Sequence, residues 1–271
     1  MDKGEISIML GIIGAGNMAE AMIAGILKSK TLDSKDIIVS NYNKSKAEKL
    51  SSKYGVAAAE NIDVIKNSSI ILLAVKPYAL LNTLELYQNE LADKVIVSVA
   101  AGISVSDMEN VNTRLKIIRT MPNTPVQICE GVLAYVYGAN IAENDKTFFK
   151  SIFSKLGMFI EIDESKIDAV SSLTGCSPAY IYQIIEAMSD AGVRMGLPRE
   201  LAISLSAMAV QGSGGMVYNT GTHPAVLKDK VTSPAGSTIE GLAELESKGV
   251  RGAVISALYK AYEKTLLFSK K

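Results

Sequence analysis

Ile8-Met9-Leu10-Gly11-Ile12-Ile13 runs without a polar break into Gly14-Ala15-Gly16-Asn17-Met18-Ala19, and a helical pattern follows as far as Leu27. A short apolar run with no alternation marks a strand covered on both faces, as in the interior of a parallel sheet. The G-x-G-x-x-A that follows it, placed between a strand and a helix, has the form and the context of a dinucleotide-binding turn. Gly14 permits the tight turn, Gly16 lets backbone approach a pyrophosphate, and Ala19 keeps helix and strand close. Free N–H groups at the start of the helix meet the phosphate charge. Ile8 to Leu27 is the one stretch that mimics a membrane span or signal peptide. Asn17, Glu20, several glycines and the lack of a basic leader make it a buried strand and helix instead.

Working outward, apolar β-branched runs recur at Ile37 to Val39, Ile70 to Val75, Val95 to Val99, Leu115 to Ile118, Val132 to Val136 and Phe159 to Ile162, with helical stretches between them. From Ile6 to about Ile162 this alternation predicts a doubly wound α/β domain built of βαβ units around a parallel sheet. After Glu161 the runs end, and Pro178, Gly196-Leu197-Pro198, His223-Pro224 and Ser233-Pro234 punctuate what reads as helices only. The length of 271 residues suits two domains. The expected division is 1–164 for the nucleotide-binding domain and 165–271 for an all-helical one.

Ala179 to Val193 and Glu200 to Tyr218 carry few charges and no clear polar face, so both helices need burial nearly all round. A helical half of this size cannot supply that by itself. A partner subunit is the economical answer, with burial inside the chain as the alternative. The hydrophobic content of 48% and a mean hydropathy of +0.21 point the same way.

Lys+Arg 28 balances Asp+Glu 28, so no net field draws the chain to nucleic acid or an anionic membrane, and a small-molecule partner is expected. Cys129, Cys176 and the lone His223 form no cluster with metal-ligand spacing, so no metal is expected. The absence of disulfide arithmetic and of a targeting segment points to a reducing cytoplasm.

The second strand ends in Val39-Ser40-Asn41-Tyr42-Asn43-Lys44, where an enzyme using NADH would place Asp or Glu against the ribose hydroxyls. Asp36 stands at the wrong end of that strand. Ser40, Asn41 and Lys44 can instead donate to a 2′-phosphate, which favours NADPH with NADH as the weaker alternative. The plainer reading of Lys44 is a cation decorating a helix start. Ligands of an open parallel sheet sit beyond the carboxyl ends of its strands. Three later segments then qualify: Lys76-Pro77, Ala100-Ala101-Gly102, and Arg119-Thr120-Met121-Pro122-Asn123-Thr124-Pro125. Pro77 disfavours helix at Lys76 and so helps to aim that residue at the cleft.

Three motifs then stand in order along the chain. They are A-V-K-P at Ala74 to Pro77, R-T-M-P-N-T-P at Arg119 to Pro125, and K-D-x-V-T-S-P-x-G-S-T from Lys228 to Thr238. The combination resembles the pyrroline-5-carboxylate reductase family over essentially the whole chain. That resemblance implies NADPH-dependent reduction of 1-pyrroline-5-carboxylate to L-proline, the last step of proline biosynthesis. It implies a Rossmann N-terminal domain and an all-α C-terminal dimerisation domain that forms an interlocked homodimer, with a decamer, a pentamer of dimers, as the larger assembly. Cofactor contacts carried over from the family fall on Gly14, Ala15, Gly16, Asn17, Met18, Ser40, Asn61, Ala74, Val75, Lys76, Pro77, Ala100 and Ala101. The substrate carboxylate is expected on Ser233, Gly236, Ser237 and Thr238, with the Thr238 hydroxyl near the ring nitrogen. Read from its residues alone, that loop is equally an ordinary Pro-Gly turn between helices.

Two departures from the family pattern are visible. Leu173-Thr174-Gly175-Cys176-Ser177-Pro178-Ala179-Tyr180 replaces a usual L-S-G-S-G-P-A-Y, and the arginine that family members often carry near Tyr42 is missing. Cys176 has no base partner in sight and is expected to pack rather than react. An NADP-linked 3-hydroxyacid dehydrogenase of similar plan would need a lysine on the first helix of its second domain, and Ile167 to Pro198 contains none. A non-catalytic NADPH-binding regulator would not need the Ser233 to Thr238 loop.

Overall fold

In the computed structural model, which describes residues 10–269, each residue of β1 (Leu10–Ile13) is buried. Ile8 and Met9, read as the start of this strand, lie outside the described residues. The other strands are β2 (Ile37–Ser40), β3 (Ala57–Ala58), β4 (Ile70–Leu73), β5 (Val95–Ser98), β6 (Lys116–Pro122), β7 (Gly131–Tyr137) and β8 (Gly157–Glu161). They form one sheet in the order β3-β2-β1-β4-β5-β6-β7-β8.

The unbroken apolar runs are explained by how they divide. Leu10, Ile12, Ile37, Val39, Ile70 and Leu72 enter one hydrophobic cluster, which they share with Met22 and Ile26 of the Asn17–Ser29 helix. Their neighbours Ile13, Ile38, Ile71, Leu73 and Ile96 enter a second cluster, with Val64, Leu80 and Met108 from helices on the other face. Successive strand residues point to opposite faces, so a strand covered twice must be apolar at every position. A Cβ on Gly11 would stand 2.6 Å from the Ser68 hydroxyl and 2.8 Å from a Val64 methyl, which shows how tightly the second layer sits on β1.

The sheet departs from the all-parallel expectation at one edge. β1 to β6 pair in parallel, but β7 runs antiparallel to β6 and β8 parallel to β7. A parallel return needs a crossover of about a dozen residues or more. Between Pro122 and Gly131 there is only a single 3-10 turn, Thr124–Ile128. The chain therefore folds straight back, and the Asn123 side chain holds the reversal by accepting the Val132 amide at 2.8 Å. β6 also extends past the expected end at Ile118, because β7 pairs with it through Pro122.

The chain forms two compact units. One contains the residues up to Gly175 together with those from Tyr262, and the other is Cys176–Ala261. Within the first, Arg119 is buried and bonds Glu164 at 2.8 Å, while Glu164 also accepts the Val105 amide at 2.8 Å. Within the second, the helices Ser177–Arg194 and Arg199–Thr220 pack where Gly192 meets Ala202, a contact in which an added Cβ would stand 2.9 Å from that of Ala202. Away from that seam, Leu205, Met208, Met216 and Tyr218 are at least half exposed.

Candidate functional site

The strand order reverses direction at β1: β2 and β3 lie to one side, β4 and β5 to the other. In such sheets a crevice opens beyond the carboxyl ends of the strands at that point. Gly14 lies there with φ +111°, and a Cβ on it would come within 2.4 Å of the Ala74 carbonyl oxygen. Its amide donates to Ser40 O at 2.8 Å, and the Ala74 amide donates to Ile13 O at 2.8 Å, so the ends of β1, β2 and β4 are laced together.

Gly16 is different. Its φ is −93°, which any residue can adopt, and an added Cβ would meet nothing within 4 Å. The fold itself does not ask for glycine here. The helix that starts after it, Asn17–Ser29, has no side chain bonded to its first N–H groups. An open space over a bare helix start fits a pyrophosphate, which needs close backbone approach and unpaired N–H donors. Asn17 is exposed and Met18 half-buried at this mouth, and the methyl of Ala19 is wholly buried.

At the end of β2, Ser40 is only 1% exposed, and its hydroxyl lies 3.5 Å from the Ile12 carbonyl, turned into the sheet. Asn41 accepts the Ala15 amide on its side-chain oxygen at 3.1 Å and donates to Asn43 O at 3.0 Å, which fastens the glycine turn to this strand. Tyr42 stands fully exposed. Asn61 opens the Asn61–Lys66 helix just after β3 and is half-buried.

Ala74 and Val75 are half-buried, and Lys76 and Pro77 exposed. Lys76 is extended (φ −65°, ψ 147°), with Pro77 opening the next helix, as the Lys-Pro pair leads one to expect. Ala100 is buried, its amide donating to the Ser98 hydroxyl at 3.3 Å, and Ala101 lies half-buried before Gly102 at φ +75°. These residues all follow the ends of β1 to β5. Arg119 does not join them: expected beyond its strand, it lies inside β6 as a buried brace.

In the second unit, the Ser233 to Thr238 loop turns through Ala235 at φ +56°, and the Gly236 amide donates to Ser233 O at 3.1 Å. Gly236 caps the Ser237–Ser247 helix without a side-chain hydrogen bond. Ser233, Ser237 and Thr238 are exposed and Gly236 half-buried. Cys176 stands at the start of the Ser177–Arg194 helix as a half-buried free thiol. Among the described residues no group of His, Cys, Asp and Glu gathers as metal ligands would, and no helix is long and apolar enough to cross a membrane.

Comparison with known proteins adds to this geometry. Residues 9–102 match the family model described as NADP oxidoreductase, coenzyme F420-dependent, and residues 164–266 the one described as pyrroline-5-carboxylate reductase dimerisation. The chain is 37% identical over 261 residues to a pyrroline-5-carboxylate reductase of Arabidopsis thaliana, covering 96% of this chain and 95% of the relative. With its counterpart from Escherichia coli K12 the identity is 39% over 264 residues, covering 96% and 98%. The crystal structure of Plasmodium falciparum pyrroline carboxylate reductase with NADP bound superposes with a TM-score of 0.88 at 31% identity, covering 98% of this chain and 100% of that one.

Proposed function

The chain belongs to the pyrroline-5-carboxylate reductase family, and from that premise we propose how its residues divide the work. The reaction is the NADPH-dependent reduction of 1-pyrroline-5-carboxylate to L-proline, the last step of proline biosynthesis. One observation carries the assignment of residues. The two helix starts among the candidate site residues each follow a glycine that places no side chain on the first N–H groups, one opening a helix of 13 residues after Gly16 and the other a helix of 11 after Gly236. Each is a ready anion site, and the reaction has two anionic partners to hold.

The first helix start, with Gly14, Ala15, Gly16, Asn17 and Met18, takes the pyrophosphate of NADPH. Ser40, Asn41 and Asn61 border the adenosine end, and Ala74, Val75, Lys76, Pro77, Ala100 and Ala101 border the nicotinamide end. The second helix start, with Ser233, Gly236, Ser237 and Thr238, takes the substrate carboxylate. NADPH, when bound, supplies the hydride.

A cyclic imine protonated on nitrogen is already a strong electrophile, so the protein has mainly to hold and orient it. The hydroxyl oxygen of Thr238 accepts the N–H of the protonated ring nitrogen, and the backbone N–H groups after Gly236 fix the carboxylate. This accounts for a site built without histidine or paired carboxylates.

Residues 1–164 form the cofactor domain in this reading and 165–271 the substrate and dimerisation domain. The assembly is a homodimer, with a pentamer of dimers as its larger form, at work in the cytoplasm and without nucleic-acid or membrane partners. The test is NADPH oxidation by the purified protein with and without 1-pyrroline-5-carboxylate, with proline measured as product. Oxidation matched by proline supports the reading, and no substrate-dependent oxidation overturns it.

A further inference from the structure

The end of β2 offers no carboxylate of its own, but the fold delivers one. β3 runs parallel beside β2, pairing Ile38 with Ala57 and Val39 with Ala58. The Ala59 amide then donates to Val39 O at 3.1 Å, so that Glu60 emerges at the carboxyl end of β2. There its carboxylate forms an ion pair with Lys44. The two side chains are 74% (Lys44) and 61% (Glu60) exposed, open to a ligand arriving at this edge.

Lys44 is oddly placed for a decorative cation. It opens the Lys44–Tyr54 helix, where the positive end of the helix dipole disfavours a lysine. Asn43 already caps that helix, its side chain accepting the Ser45 amide at 3.1 Å, so the lysine is not needed for capping. The contact with Glu60 holds the Lys44 ammonium above its ordinary range, with a further attraction from Glu48 one turn along. Lys44 is therefore fully charged at neutral pH.

We propose that Lys44 and Glu60 form a competitive pair that sets cofactor preference: Lys44 is the cation for the 2′-phosphate of NADPH, and Glu60 is the anion which that phosphate must displace. The inference rests on the nucleotide site proposed above. When NADH is bound, Glu60 can accept from the ribose hydroxyls, as an acid at the end of the second strand does in NADH enzymes. When NADPH is bound, phosphate and Glu60 repel one another and compete for the same ammonium. The pair thus narrows the discrimination that Lys44 alone would give, and no acid on β2 itself is required.

The experiment is equilibrium binding of NADPH and NADH to the full-length protein at low ionic strength, where exposed charges act most strongly. Titration calorimetry or the fluorescence of the reduced nicotinamide serves, since the chain has no tryptophan. Glu60→Gln keeps the size of the side chain and removes its charge. It is expected to tighten NADPH by about threefold to tenfold while leaving NADH unchanged or weaker. Lys44→Gln is expected to weaken NADPH by about tenfold and to leave NADH nearly unchanged. An unaltered NADPH-to-NADH affinity ratio in Glu60→Gln, or unchanged NADPH binding in Lys44→Gln, would overturn the pairing. Wild-type protein that binds neither nucleotide would instead refute the nucleotide site itself, so the two failures are distinct.

Discussion

A side chain on Gly14 would place its Cβ 2.4 Å from the carbonyl oxygen of Ala74, so the turns after β1 and β4 meet with no room between them. Two residues on, Gly16 has open space around it. The two glycines of one motif thus serve different purposes, one for the fold and one for the ligand. Gly14→Ala combines a disfavoured φ with a backbone clash and should cost roughly 2 to 5 kcal/mol of stability, read as a lowered denaturant midpoint. Gly16→Val should fold normally and lose NADPH affinity by about tenfold or more, because its side chain fills the space assigned to the pyrophosphate. Normal NADPH affinity in a folded Gly16→Val protein would remove this turn from the site.

The Asn41 side chain holds the glycine turn in place through the Ala15 amide. Asn41→Ala leaves that donor without its acceptor, at a cost of about 1 to 3 kcal/mol shared between stability and cofactor binding. It should raise the KM for NADPH several-fold while kcat at saturation changes little. Asn41→Asp keeps the acceptor and adds a charge near the expected 2′-phosphate, so kcat/KM should move from the wild-type preference for NADPH towards NADH. Steady-state kinetics with both cofactors check the pair of variants, and equal effects of Asn41→Asp on both cofactors would contradict this placement.

Leu205, Met208 and Tyr218 lie 52%, 65% and 69% exposed on a helix whose polar face is small. Apolar surface of this kind on one element marks an interface. Light scattering at micromolar concentration should give at least a dimer mass, and Met208→Glu should shift the population towards monomer. A monomeric mass for the wild type would contradict a partner on this face.

Much of the first unit could be read from the chain because it rests on local signals. Leu10, Ile12 and Ile13 are apolar on both faces, and the glycine turn follows directly. What stayed hidden depends on contacts made elsewhere. β7 reverses because the Pro122 to Gly131 connection is short, a fact visible only once β6 is known to run through Pro122. The sequence makes Ser40 a possible phosphate donor, yet a strand's alternation turns its side chain inward and leaves only its carbonyl at the rim. Ala57-Ala58 carries no strand pattern at all, so the arrival of Glu60 beside Lys44 could not be foreseen. The Ser233 to Thr238 loop was legible through family resemblance rather than chemistry, since a Pro-Gly turn before a helix is common.

The role of one hydroxyl carries the mechanism, and the most direct measurement is kcat at saturating NADPH and 1-pyrroline-5-carboxylate for Thr238→Val beside Thr238→Ser. Valine keeps the shape and deletes the hydroxyl, whereas serine keeps the hydroxyl. The expected result is a loss of about tenfold to a few hundredfold in Thr238→Val, the scale of one to three kcal/mol for a hydrogen bond to a charged group, with most activity kept in Thr238→Ser. NADPH affinity should hardly change in either. A wild-type kcat in folded, assembled Thr238→Val would contradict the hydroxyl's role at the ring nitrogen and leave the loop with carboxylate binding only.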